Sequence, residues 1–276
     1  MKVKKPVGII GFGNMGAALA GRLEGIYPLI VFDQDKGKTR LVKAANKAKS
    51  PQDLLLKTEV IILAVKPQDF APLLKKIKGL AKGKLIISIA AGIPTGYIER
   101  CLGMAKVIRA MPNLPAKIGK GMSCLCSGRL ATTKDLNFAK NIFSCLGCTL
   151  IIKETMLDAA TAVSGSGPGY FYHYLESRKI TGKIPAALIK DFKIALQKAA
   201  EAVGFKKTQA IILSEVTLRG SLAMFKVSKL KAAELKQQVV SRGGTTEAGL
   251  KVLSKGGSLN EAVKAALKRA KELAKK

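Results

Sequence analysis

The sequence predicts an α/β chain, with a mostly parallel sheet in residues 1–155 and an all-helical part in residues 156–276. Two observations predict it. Short β-branched runs alternate with helix-like stretches through the first half, the pattern of βαβ units. After about Thr155 the strand signal stops and only helical spacing remains.

In chain order, strands are predicted at Val7–Phe12, Leu29–Phe32, Val60–Val65, Leu85–Ile89, Val107–Ile108, Met122–Cys126 and Thr149–Ile152. The helices between them are Met15–Leu23, Lys38–Lys47, Ala71–Ile77, Gly96–Leu102 and Asp135–Leu146. The run from Val60 to Val65 is apolar without alternation, as in a strand covered by helices on both faces. Further on, Phe192, Ala195, Leu196, Ala199 and Val203 share one face of a helix over Lys190–Val203. Thr208–Phe225 and Leu230–Val240 also read as helices. The last helix opens on Ser258-Leu259-Asn260-Glu261, a capping-box spacing, and carries Val263, Leu267, Ala270 and Leu273 as its apolar stripe.

Composition narrows the class. With 276 residues and 48% hydrophobic content, roughly 150 residues per domain gives two domains able to bury cores. The longest apolar run, around Val60–Val65, is far short of the roughly 20 residues of a membrane helix, so no membrane partner is expected. Met1-Lys2-Val3-Lys4-Lys5 and the short apolar piece after it lack a cleavage site, and the chain reads as cytoplasmic. Cysteines number five, an odd count, and the sole histidine is His173, which reads as structural in its aromatic segment. A zinc site would want two cysteine pairs plus histidines. The pairs Cys124/Cys126 and Cys145/Cys148 read instead as small buried hydrophobes, and no metal is expected.

The formal charge of +30 would suit a polyanion binder. Yet 39 of the 48 basic residues are lysines spread along the chain, whereas base and phosphate readout favours arginine. Aromatic residues, at 5%, leave few stacking platforms. The lysines read as solvated faces, with only weak, salt-sensitive attraction to polyanions and no specific nucleic-acid partner.

Gly11-Phe12-Gly13-Asn14-Met15-Gly16 is a GxGxxG between a predicted strand and a predicted helix. The first glycine permits the tight turn, the second lets backbone approach a pyrophosphate, and the third lets helix and strand pack closely. The helix N-terminus adds amides and partial positive charge. Asp33 follows Gly13 by 20 residues at the end of the second strand, where an acid binds an adenosine ribose hydroxyl. These features predict a Rossmann-type dinucleotide site. Ala64-Val65-Lys66-Pro67 and Ile89-Ala90-Ala91-Gly92 leave later strands at the carboxyl edge, where ligands of parallel sheets lie. Arg109-Ala110-Met111-Pro112-Asn113 ends another strand there. Val163-Ser164-Gly165-Ser166-Gly167-Pro168 reads as a helix entry. Ser241-Arg242-Gly243-Gly244-Thr245-Thr246 leaves two readings open, hydroxyl capping of a helix or a carboxylate seat on its amides. A lone histidine and unclustered acids argue against metal hydrolysis and a Ser-His-Asp triad. Reduction of a C=N bond by a bound dinucleotide needs positioning and little acid–base machinery.

The ordered set GIIGFGNMG, LAVKPQD, SIAAGIP, VIRAMPN, AVSGSGPGYF and SRGGTTEAGLKVL resembles the pyrroline-5-carboxylate reductase family over nearly the full length. The resemblance implies an N-terminal Rossmann domain and a helical domain that interlocks two subunits into a homodimer able to assemble further. It implies reduction of 1-pyrroline-5-carboxylate to L-proline with NADPH or NADH. It places Gly11, Phe12, Gly13, Asn14, Met15, Gly16, Ala64, Val65, Lys66, Pro67, Ile89, Ala90 and Ala91 against the dinucleotide, to which the spacing alone adds Asp33, where the family usually has a small or hydroxylated residue. Ser241, Gly244, Thr245 and Thr246 would hold the substrate, the Thr246 hydroxyl acting catalytically on the ring nitrogen. Arg242 and Gln238 depart from the family's proline and asparagine, and the stretch from Tyr174 to Gly204 is longer than its pattern. Asp33 argues for NADH where the family usually takes NADPH, and Lys36, Lys38 and Arg40 nearby offset that argument. The alternatives are another imine or β-hydroxyacid reductase on the same plan, the latter wanting a catalytic lysine in its helical part, and a non-catalytic dinucleotide- and polyanion-binding protein.

Overall fold

The computed structural model describes residues 5–39 and 45–274. Strand β1 (Val7–Ile10) is wholly buried and runs through a glycine turn into α1 (Asn14–Leu23), which buries Leu19, Ala20 and Leu23. Then follow β2 (Leu29–Phe32), α2 (Lys36–Thr39) and β3 (Asn46–Lys47). Of the helix expected over Lys38–Lys47, Lys38 and Thr39 are helical, whereas Asn46 and Lys47 form a strand. Arg40–Ala44, and Met1–Lys4 of the basic N-terminus, lie outside the described residues. Next come α3 (Pro51–Lys57) and β4 (Val60–Leu63). Helix α3 is absent from the sequence reading, although its start is well marked. Ser50 Oγ accepts from the Asp53 N–H at 3.0 Å, and Pro51 occupies the first turn.

The alternation continues with α4 (Phe70–Ile77), β5 (Leu85–Ser88), α5 (Thr95–Leu102), β6 (Lys106–Pro112), β7 (Gly121–Ser127), α6 (Thr133–Ser144) and β8 (Gly147–Ile151). Sheet order is β3-β2-β1-β4-β5-β6-β7-β8. Pairs β1–β2, β1–β4, β2–β3, β4–β5 and β5–β6 are parallel. Strand order reverses at β1, which lies between β2 and β4, and that reversal opens a crevice at the carboxyl edge. Ile61, Leu63, Ile86 and Val107 of the strands pack with Leu54, Phe70, Leu74 and Ile98 of the helices in one apolar core.

The helical part comprises α7 (Leu157–Ala160), a π-helical turn at Thr161–Gly165, α8 (Gly167–Ser177), α9 (Ala186–Ala202), α10 (Lys207–Ser228), α11 (Ala232–Val239), α12 (Thr245–Leu253) and α13 (Leu259–Ala274). The stretch from Tyr174 to Gly204 runs from the end of α8 through the loop after it and α9, whose Phe192 stacks edge-on against Phe171 at 5.2 Å between centroids. Two compact units emerge, Met1–Ala110 with Leu125–Leu146, and Met111–Cys124 with Gly147–Lys276. His173 is half-buried beside Tyr174, and burial lowers its pKa. The cysteine reading needs a correction. Cys124 and Cys126 are buried, but Cys145 is only partly covered and Cys148 is exposed. The second pair follows α6 and enters the last strand of the sheet order, so neighbouring apolar residues in sequence do not enclose it.

Two glycines of α1 separate packing from propensity. A Cβ at Gly16 would overlap the Gly11 carbonyl oxygen, whereas one at Gly21 would meet nothing within 4 Å. Gly16→Ala should destabilise the protein by about 1–3 kcal/mol. Gly21→Ala should stabilise it by about 0.5–1 kcal/mol. Urea-unfolding midpoints of the two variants check both signs.

Candidate active site

At the carboxyl ends of β1, β2 and β4 lies a cleft of about 490 Å³, lined among others by Gly11, Gly13, Asp33, Ala64, Val65 and Lys66. Gly11 takes a φ of +99°, and a side chain there would come within 2.6 Å of the Ala64 carbonyl oxygen. At Gly13 the corresponding position is open space, so the backbone can be approached closely at that point. Phe12 is buried and Asn14 starts α1. Pro67 begins a 3-10 turn to Asp69 and is exposed. Ile89, Ala90 and Ala91 leave β5 at the same edge, the Ala90 N–H donating to Ser88 Oγ at 3.3 Å. Of the residues expected at the dinucleotide, Gly11, Gly13, Asp33, Ala64, Val65 and Lys66 line the cleft, whereas Phe12, Asn14, Met15, Gly16, Pro67, Ile89, Ala90 and Ala91 do not.

Asp33 has a second task. Its Oδ2 accepts from the Phe12 N–H at 2.6 Å and its Oδ1 from the Asp35 N–H at 2.8 Å. The carboxylate therefore ties the glycine turn to the end of β2. Lys38 Nζ stands 3.9 Å from both Asp33 and Asp35.

In the helical unit, Gly244 is the N-cap of α12 and offers no side chain, so the first-turn amides have no side-chain cap. Thr245 and Thr246 do not act as caps either. Thr246 Oγ1 donates to Ser166 Oγ at 3.0 Å, and Thr245 Oγ1 lies 3.1 Å from the same oxygen. Ser166 is fully buried and Thr246 is 5% exposed. The close approach depends on Gly169, where a Cβ would come within 2.6 Å of the Thr246 methyl. A second buried group adjoins in sequence. Thr217 Oγ1 donates to Ser164 Oγ at 3.0 Å, and Asn113 Nδ2 donates to the Ser164 carbonyl at 3.2 Å. Asn113 Oδ1 in turn accepts from the Met122 N–H at 2.8 Å.

Ser166 is the residue that sequence reasoning passed over. Its signal was the hydroxyl inside the Gly-rich SGSGP segment, read there as a helix entry only. Ser241 is exposed and its carbonyl accepts from the Gly244 N–H at 2.9 Å, closing the turn. Gln238 Oε1 accepts from Lys117 Nζ at 2.9 Å, and burial lowers the Lys117 pKa. Arg242 is exposed.

The family model described as pyrroline-5-carboxylate reductase dimerisation matches residues 154–275, and one described as NADP oxidoreductase, coenzyme F420-dependent, matches residues 6–92. A pyrroline-5-carboxylate reductase of Synechocystis is 35% identical over 98% of both chains. The chain belongs to the pyrroline-5-carboxylate reductase family. Among solved structures, a pyrroline carboxylate reductase of Plasmodium falciparum with NADP bound matches with a TM-score of 0.66 at 30% identity, covering 99% of each chain. A pyrroline-5-carboxylate reductase of Coxiella burnetii matches with a TM-score of 0.67 at 29% identity, over 99% of this chain and 100% of that one. As expected of this family, a parallel-dominated sheet precedes a helical part that carries the dimerisation match.

Because Gly169 makes room for Thr246, Gly169→Ala should force the Thr246 side chain or α8 to move. The expected cost is about 1–3 kcal/mol, read from a urea titration.

Proposed function

We propose that this chain reduces 1-pyrroline-5-carboxylate to L-proline with NADH or NADPH. The observation that carries the reading is the hydroxyl cluster of buried Thr246 and Ser166 with half-buried Thr245, at an N-terminus without a side-chain cap, in a chain of this family. Amides and dipole at such a helix start favour a carboxylate. Ser241, Gly244 and Thr245 form that seat, and the Thr246 hydroxyl donates to the ring nitrogen of the imine. When the Thr246 hydrogen turns to substrate, the bond to fully buried Ser166 reverses, and the Ser166 hydroxyl donates to Thr246 Oγ1. The reduced nicotinamide, when bound, supplies the hydride taken by the imine carbon.

The dinucleotide fits the cleft for reasons the residues show. Gly13 leaves its flank open and Gly11 packs against Ala64. In this proposal Gly11 to Gly16 hold the pyrophosphate, while Ala64, Val65, Lys66 and Pro67, with Ile89, Ala90 and Ala91, border the rest. Two carboxylates, Asp33 and Asp35, border the adenosine end around one lysine, Lys38, and this favours NADH over a 2′-phosphate. Arg40 lies outside the described residues.

Residues 1–155 would serve the dinucleotide and residues 156–276 the substrate and self-association. A homodimer through the helical part is supported by the dimerisation match and by Ile211, Ile212 and Val227, which α10 leaves exposed. Among the described residues no helix is long and apolar enough to cross a membrane. A cytoplasmic location belongs to the same proposal, since an odd and sparse set of five cysteines suits a reducing compartment.

Oxidation of NADH and NADPH in parallel with pyrroline-5-carboxylate tests the reading. Turnover is expected with both and faster with NADH. Absence of turnover despite cofactor binding would move the reading to another imine. Thr246→Val should lower turnover by about a hundredfold or more, with cofactor affinity unchanged. Asp33→Ser should shift the rate ratio toward NADPH while weakening both cofactors, because the Phe12 N–H loses its acceptor. An unchanged ratio would remove Asp33 from the ribose.

A further inference from the structure

Just ahead of α12 the chain turns through Gly243, whose φ of +68° lies in the left-handed region. Two charged side chains grip its peptide groups. The Gly243 N–H donates to Glu247 Oε2 at 2.6 Å, and Arg269 Nε donates to the Gly243 carbonyl at 2.7 Å. Glu247 is the third residue of α12, where the acid of a capping box normally reaches back to the N-cap amide. Here it reaches one residue further. Arg269 comes from α13, 26 residues along the chain.

Each charged group is itself held. Lys251 Nζ lies 2.9 Å from Glu247 Oε1, and Arg269 Nη1 donates to Glu272 Oε2 at 3.0 Å. The Lys251 contact first, and the Gly243 N–H second, keep the Glu247 carboxyl below the usual range. Charge-assisted bonds of this kind are shorter and stronger than neutral ones. The cap position itself is Gly244, with no side chain to fix the entry angle. That angle sets where the amides of Thr245 and Thr246 point.

We infer that Arg269 and Glu247 are positioning residues that fix the carboxylate seat at the start of α12 by clamping the Gly243 peptide groups from both sides. The inference rests on the functional reading above. Helix α12 already packs on α13, and Leu253 of the one and Leu259, Ala262 and Val263 of the other are buried, so the hairpin does not need the clamp to form. A purely structural brace would change stability and leave substrate affinity alone. A positioning role moves KM for substrate and leaves cofactor affinity unchanged.

The test uses the full-length chain with pyrroline-5-carboxylate and the preferred cofactor. Arg269→Met keeps the aliphatic stem and drops the donor, and it should raise KM about tenfold, with a smaller change in kcat and an unchanged cofactor Kd. Arg269→Lys, which keeps charge and a donor, should recover most of the loss. Glu247→Ala should raise KM in the same direction, whereas Glu247→Gln, which keeps an acceptor, should stay near the parent value. If Arg269→Met fails to fold, the Glu247 pair decides alone. Parent turnover with an unchanged KM in both Arg269→Met and Glu247→Ala overturns the positioning role and leaves the functional reading standing. A parent chain that never turns over the imine overturns both.

Discussion

A buried hydroxyl must find a partner inside the protein or cost about 1–3 kcal/mol, and this constraint fixes the helical unit at its functional end. Thr246 and Ser166 meet it together, each almost wholly removed from water and 3.0 Å apart. Their bond ties the first turn of α12 to the entry of α8. Everything near it is arranged to permit the approach. Gly169 gives up a side chain so that the Thr246 methyl can fit. Ser164, two residues before Ser166, is engaged separately by Thr217 and Asn113. A short Gly-rich segment thus presents one hydroxyl to α10 and another to α12.

The nucleotide end follows the same logic with backbone in place of hydroxyls. The glycine turn is held in shape by Asp33, whose carboxylate accepts from an amide of the turn. Close packing of Gly11 and Gly16 leaves no room for side chains, while Gly13 faces open space. An acid at that point therefore has both a structural and a recognition role, and the two are coupled through one carboxylate. The position of Lys38 between Asp33 and Asp35 lessens their repulsion, which makes the charge at the adenosine end a balance of several groups.

Much of the fold was legible because its strands are apolar and its helices amphipathic. Predicted and observed bounds agree to within a residue or two at β2, α1, α4 and α5. Strand β3 was not legible, since Asn46 and Lys47 are exposed and join the sheet only by pairing with β2. Helix α3 is seven residues long, too short for an apolar period to show behind its Ser50-Pro51 start signal. The exposure of Cys148 was hidden for a related reason. Apolar neighbours in sequence do not say whether the next layer covers them.

The sequence by itself determined the alternation of strands and helices apart from β3 and α3, the glycine turn after β1 and the likeness to a reductase family, since these depend on local spacing and residue type. Tertiary structure alone decided that Thr245 and Thr246 turn away from capping toward Ser166, some 80 residues earlier in the chain. It also decided that Asp33 braces the glycine turn and that Arg269 and Glu247 hold the Gly243 peptide groups. The physical reason is the same in each case. A hydrogen bond between distant residues leaves no periodicity or spacing in the sequence, because only packing brings its two atoms within reach.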